Sequence, residues 1–217
     1  MVSWTDPALE AANMRALGNV VAAFFSLYGW ELFQTCEFEW SLLKGRRKFH
    51  WSLVFFLGCR YTTFWALFAI LVLVSTHQMV HCEALHTFSV VTGNFAVLTA
   101  STSLMLRTIH GWRRHAVANV LILVMCLVHW GLLLRAGFAT RATWSASDSV
   151  CVLTTTDSPF LQLGFWSTML FYLAVVALMI IRTANSDLRT LLFTDGLAFY
   201  AVPVVVNVLP AVFGALN

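Results

Sequence analysis

One arginine stands where an arginine is expensive. Arg60 follows Trp51–Cys59, a stretch with no other charge. If that stretch enters a membrane as a helix, Arg60 lies about 13 Å deep at 1.5 Å per residue. A guanidinium there costs roughly 2.5 kcal/mol or more unless a carboxylate, a carbonyl or water meets it. Two acidic residues are placed to do so, Glu31 near the inner end of one apolar run and Asp195 near the inner end of another. Asp195 is the preferred partner, because it is the deeper of the two and needs a counter-charge more. Such a cluster has two readings. It is a switchable ion pair serving a proton or substrate, or a fixed structural pair in which Arg60 leans toward the interface. The fixed pair is the expectation.

The five cysteines are Cys36, Cys59, Cys82, Cys126 and Cys151, with no CxxC pair among them. Cys82 and Cys151 fall at the same end of the apolar runs. In an oxidising compartment they are expected to bridge and pin the stretch Arg135–Ser158; the alternative is two thiols. The remaining three are expected to be reduced. His77, His81 and His86 flank Cys82. A four-residue spacing sets two imidazoles on one helix face, but no third ligand follows from the sequence. Solvated histidines are therefore expected, and no metal. The run around Thr92–Ser103 is rich in small and hydroxylated residues. Asn94, Thr99 and Ser103 are read as the polar core of a central helix, serving close packing rather than lining a ligand cavity. His129 is expected to hydrogen-bond between helices. Pro203 and Pro210, with Asn207 between them, are expected to bend the last run. G-x-S-x-G, H-E-x-x-H, Walker A and G-x-G-x-x-G sequences are missing, and so is a D-x-x-x-D pair. No enzyme class and no cofactor is assigned.

The elements that position these residues follow from composition. The chain has 217 residues, 59% hydrophobic and 11% charged, with mean hydropathy +0.78. A soluble domain carries about 25% charged residues. A helix of about 20 apolar residues spans a bilayer. Six runs reach that length: 16–33, 51–74, 84–106, 116–134, 160–181 and 191–216. They are too long and too uniformly apolar for barrel strands. The expected fold is one all-α, polytopic transmembrane bundle over 1–217, with the lipid bilayer as its main partner. The first ten residues carry Asp6, Pro7 and Glu10 rather than a basic leader, so the first run is expected to act as its own insertion signal.

Orientation is read from Lys and Arg. Lys44, Arg46, Arg47, Lys48, Arg107, Arg113, Arg114, Arg182 and Arg189 fall on one side, and Arg15, Arg135 and Arg141 on the other. The nine-residue side is expected to be cytoplasmic. The N-terminus is then outside or lumenal, in the plasma membrane or an endomembrane. Trp40, Trp51, Trp112 and Trp144 stand at run ends, suiting the headgroup zone. The net charge of +3 is too small to suggest nucleic acid.

Three stretches together carry a family resemblance. They are Gly29–Trp51 (GWELFQTCEFEWSLLKGRRKFHW), running on to Arg60-Tyr61; Thr92-Gly93-Asn94 with Ala100–Ile109 (ASTSLMLRTI); and Ser186–Gly196 (SDLRTLLFTDG). Over nearly its whole length the chain resembles a family of integral membrane proteins of basidiomycete fungi related to those carrying a DUF6533 region. The resemblance implies a seventh helix and a cytoplasmic tail after the last run here, making this chain a six-span variant or a shortened seven-span one. It transfers no catalytic residues. The functional expectation is a receptor-like or sensor bundle with a cytosolic protein partner. The alternatives are a scaffold or partner subunit, and a membrane enzyme or transporter for a lipid or terpenoid.

Overall fold

A computed structural model describes residues 7–45, 51–76, 81–112, 115–138, 140–145, 150–156 and 158–184. The expected sixth run, with Asp195, Pro203, Asn207 and Pro210, lies outside them. Six helices and a two-stranded ribbon are present among the described residues: α1 (Pro7–Gln34), α2 (Cys36–Leu43), α3 (Trp51–Ser75), α4 (Cys82–Gly111), α5 (Ala116–Ala136), β1 (Thr140–Ser145), β2 (Val150–Thr156) and α6 (Ser158–Ala184). The fold is an all-α helical bundle. Five helices are long and apolar enough to cross a membrane, over Arg15–Gln34, Leu53–Ser75, Cys82–His110, Ala116–Ala136 and Pro159–Leu178. The chain is a multi-pass membrane protein.

α5 shows why. Its buried residues are Ile122, Cys126, His129, Leu133 and Ala136, a stripe at spacings of four and three along one helix face. The opposite face carries Val117, Val120, Leu121, Val124, Leu127 and Val128, all exposed. A water-facing helix would place charge there. Apolar residues on both faces are stable only when lipid replaces water on the outer one.

The chain divides into two compact units, Met1–Ala96 with Arg141–Thr155, and Val97–Thr140 with Thr156–Asn217. In the first, α1 packs along α3. Phe25 sits against Phe64 and Phe68, with ring centroids 5.2 and 6.0 Å apart, and Tyr28 donates to the Arg60 carbonyl at 3.1 Å. Gly18 lies against Val74; a Cβ at Gly18 would fall 3.1 Å from Val74 Cγ1. Early residues of α1 thus meet late residues of α3, and the two helices are antiparallel.

In the second unit α5 and α6 pair the same way. His129 stacks on Phe171 at 4.9 Å and 6°, and Gly164 approaches the Ala136 methyl. Met105, Ile122, Cys126, Phe171, Tyr172 and Val175 form the buried core. Trp112 donates its indole N–H to the Leu178 carbonyl at 3.3 Å.

Two stretches expected as loops have structure. Within Gln34–His50, α2 forms after a break at Thr35, whose hydroxyl donates back to the Glu31 carbonyl at 2.7 Å. Glu37 and Glu39 occupy the first turn of α2 and favour its positive end. Gly45 closes the stretch at φ 68°, a left-handed conformation that glycine adopts without strain, and its N–H donates to the Leu42 carbonyl. Within Arg135–Ser158, the β-branched sequences TRATWS and VCVLTTT pair as β1 and β2.

Candidate functional site

The first site is built around Arg60. Its Nε lies 3.3 Å from Glu39 Oε1, with side chains 10% and 14% exposed. Its Nη2 donates to the Leu32 carbonyl at 3.2 Å, more weakly to the Glu31 carbonyl at 3.4 Å, and to the Thr35 hydroxyl. Tyr61 donates its hydroxyl to Glu39 Oε2. The last carbonyls of a helix lack intrahelical donors and carry its negative end. Arg60 therefore caps α1 and holds α2 through one carboxylate. Tyr28, Glu31, Leu32, Phe56, Cys59 and Arg60 line a cavity of about 130 Å³ beside it.

This corrects the expected pairing for Glu31. The Glu31 carboxylate is not the partner; only its backbone carbonyl reaches Arg60. Tyr28, Leu32 and Thr35, at spacings of four and three, form the face of α1 that bonds to Arg60 or lies beside it. Glu31 is one residue off that face and is exposed. Asp195 lies outside the described residues. Glu39, four residues after Thr35 in the first turn of α2, is the carboxylate that meets the guanidinium.

The second site lies where α3 gives way to α4. Cys82, the first residue of α4, is bridged to Cys151 of β2, with Cα atoms 5.7 Å apart. The bridge fixes the ribbon against the start of α4. Between them is a groove of about 730 Å³. One wall is α4, with Glu83, Ala84, Thr87, Phe88 and Val91; the other is β1, with Ala142, Thr143 and Trp144. At the rim Glu83 Oε1 meets Arg141 Nη1 at 3.7 Å, both side chains largely exposed. His81 joins the lining, His86 is half-buried, and His77 lies outside the described residues. No three His, Cys, Asp or Glu side chains cluster among the described residues.

A third polar group is enclosed in the second unit. Ser101 Oγ lies 3.2 Å from His129 Nε2 and donates to the Tyr172 hydroxyl at 3.3 Å. One residue on, Thr102 accepts from the Trp130 indole at 3.2 Å. Interhelical bonding by His129 matches expectation. The choice of residues on α4 does not: Asn94, Thr99 and Ser103 are half-buried, while Ser101, Thr102 and Thr108 are buried. Leu98, Ser101, Met105 and Thr108 share one helix face, and Thr99 and Ser103 lie about 140–180° from its centre. Hydroxyl density marked the right helix but not its phase.

Of the basic residues read as cytoplasmic, Lys44 is exposed, with its ammonium 5.0 Å from the Trp40 ring centre. Arg46, Arg47, Lys48, Arg113 and Arg114 lie outside the described residues. Cys36, Cys59 and Cys126 form no disulfide. No family model, curated protein or solved structure matches the chain.

Proposed function

We propose that this chain is a receptor-like membrane sensor whose ligand site is the groove between the start of α4 and the ribbon. One observation carries the reading: the Cys82–Cys151 bridge holds a β ribbon as one wall of a groove of about 730 Å³. Volumes of about 300–1,000 Å³ are typical of small-molecule sites. A crosslinked wall keeps such a site pre-formed, which lowers the ordering cost of binding. The basic asymmetry supports an outside N-terminus, a groove on the outer side and a cytosolic protein partner at the inner loops that include Lys44–Lys48. The three resembling stretches support membership of the DUF6533-related fungal family.

The site and the Arg60–Glu39 cluster belong to one unit, with Arg60 part-way along α3, about 22 Å of helix before its end at Ser75, where the groove begins beyond it. A ligand that reshapes the groove is therefore expected to move α2. The test places an environment-sensitive dye on exposed Cys36, with Cys59→Ser and Cys126→Ala, in nanodiscs. A panel of amphiphilic and polar small molecules is then titrated. The reading requires at least one saturable dye response that Thr87→Trp, which fills the groove, removes. A response that survives Thr87→Trp, or none across the panel, rejects it.

A further inference from the structure

We infer that the groove takes a single-chain amphiphile with a zwitterionic head; this rests on the groove being the ligand site. The rim supplies the first argument. Glu83 and Arg141 stand on opposite walls, 3.7 Å apart, with side chains 65% and 72% exposed. An exposed pair of this kind is worth about 0–1 kcal/mol. A ligand carrying both an ammonium and a phosphate separates the two at little cost. It then offers each a charge-assisted partner, the phosphate to Arg141 and the ammonium to Glu83. A purely anionic head satisfies Arg141 and leaves the Glu83 carboxylate repelled. A cationic head does the reverse.

The wall supplies the second argument. Ala84, Phe88 and Val91 follow one another at spacings of four and three, so they form one track along α4. From Glu83 to Val91 the helix rises about 12 Å. The track begins beside the charged rim and runs inward along a spanning helix. Phe88 is 46% exposed along this track, and Trp144 and Ala142 face it from β1. Charge at one end and a largely apolar strip beyond it, with the Thr87 hydroxyl beside Phe88, match a molecule with one polar head and one chain. A compact polar ligand would leave the strip unused.

The test uses the full chain purified in a neutral maltoside detergent and measures binding of radiolabelled lysophosphatidylcholine. Three comparisons accompany it: lysophosphatidic acid of the same chain length, the matching monoacylglycerol, and glycerophosphocholine, which is the head without the chain. The zwitterionic chain is expected to saturate at one per protein and to bind at least ten-fold tighter than the anionic or neutral chain. The free head should not bind measurably. Glu83→Gln and Arg141→Gln should each weaken binding about five- to ten-fold, and Thr87→Trp or Val91→Trp should abolish it. Each variant is accepted only if it elutes as one species with the Cys82–Cys151 bridge intact.

Equal binding of the three chains, or no effect of either charge variant, overturns the zwitterion assignment. The groove itself then still stands if Thr87→Trp and Val91→Trp block the chain. Binding that survives both filling variants overturns the groove as well. No saturable binding of the zwitterionic chain overturns the present inference alone, because the Cys36 dye titration judges the groove independently.

Discussion

Replacing Arg60 with leucine should be among the most damaging single changes outside the disulfide. Glu39 Oε1 is buried and accepts no aligned hydrogen bond; its compensation is the guanidinium charge 3.3 Å away. Removing one member of a buried pair costs about 3–5 kcal/mol, because the other charge stays behind. For a chain of this size each kcal/mol moves the midpoint by about 2–4 °C, so Arg60→Leu should lower it by about 6–20 °C. Glu39→Gln should cost less, about 1–3 kcal/mol, because Arg60 keeps the Thr35 hydroxyl and the Leu32 carbonyl. Arg60→Leu combined with Glu39→Leu removes both charges and should recover at least half of the loss. The assay heats purified protein in detergent and measures the fraction that still elutes as a single species. A midpoint for Arg60→Leu within about 2 °C of the parent would refute the pairing. So would a double variant no more stable than Arg60→Leu alone.

Three further outcomes are expected. Cys82→Ser with Cys151→Ser frees a 69-residue crosslink, worth at most about 4 kcal/mol by chain entropy and less where the spans stay inserted; amide exchange over Thr140–Ser145 and Val150–Thr156 should rise while that of α5 and α6 does not, and equal protection in both forms would show that the bridge does not hold the ribbon. Tyr172→Phe should cost about 0.6 kcal/mol, the average for an interhelical hydrogen bond in a membrane, whereas Ser101→Ala removes a partner of both His129 and Tyr172 and should cost more; the reverse order in thermal midpoints would deny Ser101 its central place. Single cysteines placed at Lys44 and Arg113 should resist a membrane-impermeant thiol reagent applied to intact cells, and one at Thr154 should react, provided Cys151 stays bridged; the opposite pattern would invert the proposed topology.

How much of this was legible in the sequence depends on which force sets each feature. Span length is set by bilayer thickness, so five runs read from hydropathy alone recur as helices. The run read as 84–106 extends to Cys82–Gly111, because polar end residues continue the backbone ladder beyond the apolar stretch. The disulfide was legible because two cysteines shared one end of the bundle. The ribbon was not, although its β-branched residues and the intervening Ser-Asp cluster are strand and turn signals. Membrane-scale hydropathy simply averages over them.

The Arg60 partner shows a deeper limit. Depth arguments compared Arg60 with carboxylates inside the apolar runs and passed over Glu39, which lies five residues beyond the end of α1. Position 39 follows 28, 32 and 35 at spacings of four, three and four, so Glu39 in the first turn of α2 continues the series that meets the guanidinium. The signal was present: Thr35 followed by Glu37 and Glu39 is a helix restart with acidic residues at its positive end. The phase of α4 was hidden for a related reason. In water, a helix declares its buried face by placing charge opposite. Here both faces are apolar, so phase is carried only by which polar groups find partners on neighbouring helices, and that pairing is a property of three helices at once. His129 and Trp130 on α5 name it: they bond to Ser101 and Thr102 respectively. A polar residue in a spanning helix is therefore best read together with the polar residues at matching depth on the antiparallel neighbour, and by that criterion His129 and Trp130 point to Ser101 and Thr102.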